Sequence, residues 1–166
     1  MKFIPIITLV FLGAMFFLSC GSPDKQIDTD HNTDFPEMET IVEQPDTILF
    51  WTVNIEQKEK TRVYEDTTGI DNPQSIINGI NTIYPTIRLE FVKRSGDTVY
   101  THIDSAFNFT NDMGSFGAAE YIATVVVNLT TLANVNYVNL DFPVGSHATP
   151  GVYSKSSYET YKEMHD

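Results

Sequence analysis

The sequence predicts a small α+β domain with helices packed on one face of an antiparallel or mixed sheet, in the order β-β-α-β-β-α-β. Three observations carry this reading. Ile76, Ile77, Ile80 and Ile83 recur at the i, i+1, i+4, i+7 spacing of one helical face. Residues 86–103 alternate apolar and polar side chains on either side of Ser95-Gly96-Asp97, the pattern of a β-hairpin. The apolar stretch 117–132 is longer than a usual strand of about 3–10 residues, so it reads as a second helix.

Composition sets the limits. With 166 residues, 42% of them hydrophobic, the chain can build one core of ordinary size once a leader is removed. A formal charge of −12 argues against non-specific binding to nucleic acid or to an anionic lipid surface, both of which need clustered Lys and Arg.

The elements follow in order. Residues 47–55 (TILFWTVNI) are β-branched and aromatic and give a first strand, with Trp51, the sole tryptophan, as a core or rim anchor. Residues 56–60 turn the chain, 61–65 (TRVYE) give a short second strand, and 66–72 loop around Gly69. Asn72 is placed to cap a helix that has Pro73 at its first position and that ends at Tyr84-Pro85. Ile87, Leu89 and Phe91 mark the inner face of a strand over 86–93, and 98–103 (TVYTHI) returns beside it.

Residues 104–115 are polar and glycine-marked. Beyond them, two periods compete. A helix places Ala118, Ile122, Val125, Leu129 and Leu132 on one stripe; a strand places Tyr121, Ala123, Val125, Val127 and Leu129 on one face. Val125-Val126-Val127 favours a strand by propensity, but length decides for a helix over 117–132 with Ser115 as N-cap. Residues 134–142 give a strand, 143–157 a Gly/Pro/Ser-rich excursion carrying His147, and 158–165 a short terminal helix.

The N-terminus carries a different message. Met1-Lys2 precedes an almost unbroken apolar run to Leu18, then Ser19-Cys20-Gly21. The run is short for a membrane span and fits a secretory signal. Its end resembles the lipobox of bacterial lipoproteins, which implies cleavage after residue 19 and acylation of Cys20. The other reading of Cys20 is a buried core cysteine ending an N-terminal helix. As the sole cysteine, it excludes an internal disulfide framework and a multi-Cys zinc site. Acyl chains on Cys20 would hold the chain to a membrane at about 0.8 kcal/mol per buried CH₂. Loss of residues 1–19 removes Lys2 and leaves a formal charge of −13.

Residues 20–46 then read as a lipidated cysteine and an acidic, disordered tether to a domain over 47–166. Eight carboxylates (Asp24, Asp28, Asp30, Asp34, Glu37, Glu39, Glu43, Asp46) face one cation, Lys25, among Pro23, Pro36 and Pro45. Asp28, Asp30, Asn32 and Glu39 match the first, third, fifth and twelfth positions of a calcium loop. Thr33 in place of the turn glycine, Pro36 within the loop and the lack of flanking helices weigh against it.

Residues 97–103 (DTVYTHI), Phe107, 119–129 (AEYIATVVVNL), Thr131-Leu132 and 134–138 (NVNYV) together resemble a GerMN domain, the module of bacterial sporulation and spore-germination proteins that also occurs in envelope lipoproteins. The resemblance spans about 48–142 and is densest over 97–142. It departs at His102, where the family has an acidic residue, with Asp104 two residues later, and at 73–86, which is shorter and lacks a Gly-Pro. The resemblance implies a β-α-β-β-α-β module outside the cytoplasm with a non-catalytic binding or assembly role.

No cofactor or metal motif is present in the sequence. His102, His147 and His165 sit in no local nucleophile–base–acid signature. His102 and Asp104, on alternating strand positions, share a face and could form an acid–base pair or part of a metal site; the plainer reading is an outward strand end. Gly114-Ser115-Phe116-Gly117 lacks the lysine and spacing of a phosphate loop, and Asn108-Phe-Thr110 and Asn128-Leu-Thr130 match a glycosylation sequon. The expectation is a lipid-anchored, non-catalytic module of the cell envelope. Its partner would be an envelope protein or cell-wall polymer, met by an exposed patch on the sheet or on 143–157. The alternative is a small envelope hydrolase using His102 and Asp104.

Overall fold

The computed structural model describes residues 45–165. The leader, Cys20 and the calcium-like 28–39 stretch lie outside them. β1 (Trp51–Asn54) turns into β2 (Glu59–Arg62) through a bend in which Asn54 Oδ1 accepts from the Gln57 N–H at 2.9 Å. α1 spans Pro73–Ile83, β3 Glu90–Ser95 and β4 Thr98–His102. A π-helical turn at Asn108–Asp112 precedes α2 (Gly114–Leu129), and β5 (Tyr137–Asp141), β6 (Gly151–Ser154), a 3-10 turn (Lys155–Tyr158) and β7 (Lys162–His165) complete the order.

The α+β class and the order of elements through β5 are as the sequence predicts. The single sheet is not: the strands form a three-stranded sheet β1-β2-β7 and a four-stranded sheet β3-β4-β5-β6. α2 contacts β1 of one and β5 of the other, and also packs on α1. Every residue from Tyr121 to Leu129 is therefore buried, including those that a one-sided helix would expose. All-round burial is why helix and strand periods both fitted this stretch.

α1 forms as its pattern dictates. Asn72 Oδ1 accepts from the Gln74 N–H at 3.0 Å, Pro73 opens the first turn, and Ile76, Ile77 and Ile80 are fully buried. Ile83 is instead 44% exposed. Next to it Tyr84 takes over the packing on α2, its ring edge-on to Tyr121 at 5.0 Å. Phe109 continues this aromatic row, 4.8 Å from Tyr121 and 4.9 Å from Phe142.

Other boundaries move for physical reasons. β1 starts at Trp51 and not at residue 47, because the Phe50 and Trp51 N–H groups both donate to the Asn128 side chain, at 2.8 and 3.0 Å. β2 lies two to three residues earlier than 61–65, since the tight bend at 55–58 returns the chain at once. Ser115 does not cap α2: Met113 occupies the N-cap position, and Ser115 lies within the first turn. The 143–157 excursion contains β6, which covers the edge of β5. Residues 158–165 form no terminal helix. A segment that short is marginal as a helix in water, whereas β7 pairs in parallel with the edge of β2, setting Lys60 opposite Glu163.

Candidate functional site

The four-stranded sheet has one face in the core and one open. Alternation along β4 and β5 sends Val99, Thr101, Val138 and Leu140 inward and Tyr100, His102, Tyr137, Asn139 and Asp141 outward. β4 and β5 run parallel, joined by the crossover through α2, and their register sets Tyr100 beside Asn139 and His102 beside Asp141. On β6, Val152 falls opposite Asn139, and a bulge between Phe91 and Lys93 interrupts β3. A shallow groove of about 390 Å³ crosses this face, lined by Val92, Tyr100, Asn139, Asp141 and Pro150 among others. Val92, Tyr137 and Val152 are exposed, and Lys93 Nζ sits 4.9 Å above the Tyr100 ring.

His102 ends this face between two carboxylates. Its Nδ1 is 2.9 Å from Asp141 Oδ2 and its Nε2 is 3.5 Å from Asp104 Oδ1. The structure sets His102, the last residue of β4, beside Asp104, which lies beyond the strand, and adds Asp141, which sequence spacing could not supply because it arrives by parallel strand pairing. The Asp141 hydrogen bond, with Asp104 behind it, raises the His102 pKa above its ordinary range against a smaller opposing effect of desolvation. Both ring nitrogens are thus turned to carboxylates.

This arrangement has a definite pH signature. A raised folded-state pKa means that the imidazolium's contribution to stability is complete below the unfolded value of about 6.5 and disappears as pH rises through the folded value. An NMR titration of His102 should give a midpoint above 6.5, falling on Asp141→Asn and falling less on Asp104→Asn. A midpoint at or below 6.5 would remove the carboxylate clasp.

The other histidines lie elsewhere. His147 Nδ1 is 3.0 Å from Ser115 Oγ, and the His147 backbone N–H donates to Thr110 O, so the 143–148 loop is tied to the start of α2 and to the π-helical turn before it. His165 Nδ1 is 3.8 Å from Glu65. Among the described residues no group of three or more His, Cys, Asp or Glu side chains is arranged to hold a metal ion. Asn128 of the second sequon is fully buried. Comparison with protein-family models, curated proteins and solved structures gives no match.

Proposed function

We propose that the chain is a lipid-anchored, non-catalytic binding module of the bacterial cell envelope, held to the membrane through Cys20, with the open sheet face as its recognition surface. The observation that carries this is the makeup of that face: exposed Val92, Tyr137 and Val152 stand beside the hydrogen-bonding groups of Asn139 and Asp141. Apolar ground with a few placed polar groups is what a ligand surface requires. A cell-wall polymer, whose sugar rings offer apolar faces and hydroxyls together, matches it; an envelope protein is the second partner class. The Cys20 motif and the GerMN resemblance support the same reading.

Both parts can be tested on the full chain. Cys20→Ser should abolish acylation and move the protein from the membrane to the soluble fraction. A Val92→Lys/Val152→Lys pair, placed on exposed positions, should reduce retention by isolated cell wall about tenfold at an unchanged unfolding temperature. Full retention by the pair would remove the sheet face as the contact surface. Deleting 143–157 would be a poor test, because it takes out β6 and uncovers β5.

A further inference from the structure

A second concavity lies on the other sheet. Trp51 on β1 forms its wall, and the indole N–H donates to Thr131 Oγ1 at 3.1 Å, which fixes the ring against the end of α2. Register sets Trp51 directly opposite Arg62 on β2. The Arg62 guanidinium lies over the indole at 4.4 Å and the Lys60 ammonium at 5.0 Å. With Lys155 they place three of the chain's ten Lys and Arg residues around one cavity of about 280 Å³, in a protein of formal charge −12.

The cations are not equally engaged. Lys60 Nζ pairs with Glu163 Oε1 at 2.9 Å, and these two charges cancel. Arg62 Nε stands 3.8 Å from Glu65 Oε2, beyond hydrogen-bond range, while its side chain is only 18% exposed. A guanidinium buried to that degree needs acceptors for its fork of N–H donors, and stacking on Trp51 holds that fork flat and already oriented. Arg62 and Lys155 supply the cationic side chains for a ligand carboxylate, alongside Glu159 on the lining and Glu65 at 3.8 Å from Arg62. Thr67, Glu159 and Glu163 add a hydroxyl and carboxylate oxygens, partners for a ligand that also carries hydroxyl groups. The volume is at the small end of ligand pockets, which run from about 300 Å³, and suits one sugar-sized unit.

We infer that the Trp51 cavity binds a carboxylated sugar unit of the hexuronate type, its carboxylate received by Arg62 and Lys155 and its hydroxyls by Thr67, Glu159 and Glu163. The chemistry of the site stands by itself; the envelope as the source of the sugar rests on the function proposed above. Because Trp51 is the sole tryptophan, its fluorescence reports on this cavity and on no other.

The full chain should be titrated with trigalacturonate, maltotriose and acetate while tryptophan emission is followed. A saturable change with trigalacturonate alone is expected, weakening as salt is raised. Arg62→Met, which keeps a stem over the indole but removes the fork, should weaken binding about tenfold or more. Lys155→Gln, at an exposed position that cannot upset folding, should weaken it several-fold. Val92→Lys/Val152→Lys should leave the titration unchanged, so that failure of the sheet-face reading and failure of this one are distinguished. Equal responses to maltotriose or to acetate, no saturable response, or an unaltered affinity in Lys155→Gln would each overturn the assignment.

Discussion

Asn128→Ala is expected to destabilise the domain by about 3–5 kcal/mol, a large part of the roughly 5–15 kcal/mol that holds a domain of this size. The residue is fully buried in the last turn of α2, after the apolar run Val125-Val126-Val127. Its Oδ1 accepts from the Phe50 and Trp51 N–H groups, and its Nδ2 donates to Trp51 O at 2.9 Å and Thr124 O at 2.8 Å. Side-chain donors and acceptors are all used, so the group is buried without an unmet hydrogen bond. Alanine would leave two backbone N–H groups buried with no acceptor, at about 1–3 kcal/mol each, and a void beside them. Asn128→Asp should fare no better, since a carboxylate cannot donate to the two carbonyls and would be a buried charge. Urea denaturation of both variants checks this. A loss under about 1 kcal/mol for Asn128→Ala would mean that β1 is not held by this side chain.

The same residue marks the limit of what the sequence could tell. α1 was legible because its signals are local: Asn72, Pro73 and the isoleucine spacing all lie within one segment. The β3–β4 hairpin was legible for the same reason, with Gly96 at φ 59° in the turn where a positive φ is needed. Asn128 meets partners 77 and 78 residues away, and within its own segment it looks like a polar interruption of a hydrophobic run. β6 and β7 exist because the edges of β5 and β2 offer unpaired backbone groups, which the short segments 151–154 and 162–165 do not announce by alternation. In the candidate site, His102 and Asp104 could be paired from their spacing, whereas Asp141 depends on a parallel register set by the α2 crossover. The Trp51 cavity was hidden in another way: Lys60 and Arg62 read as turn and strand residues, and only the register of β1 on β2 stacks them on the indole.

Gly79→Ala separates helix propensity from packing, because the two predict opposite signs. Gly79 lies within α1, and in an exposed helix interior alanine would be favoured by about 1 kcal/mol. Here a Cβ would stand 2.1 Å from Ile48 O and 2.6 Å from Ile48 C, which are backbone atoms and cannot rotate away. Nor can that segment easily retreat. The Ile48 N–H donates to Ser75 O at 2.9 Å, Asn78 Nδ2 donates to Asp46 O at 2.9 Å, and the Ile48 side chain is itself in the core. Either the helix moves away from 46–49 or both hydrogen bonds stretch, so the overpacking cost should exceed the propensity gain and leave a net loss of about 2–3 kcal/mol. For a domain of this size that is roughly a 10 °C fall in Tm. The loss should be suffered mainly by the segment leading into β1: amide exchange at Ile48 should quicken more than at Val99 in the four-stranded sheet. A Tm that rises instead would show that propensity governs this position, and that the segment before β1 does not lie against α1 as closely as glycine permits.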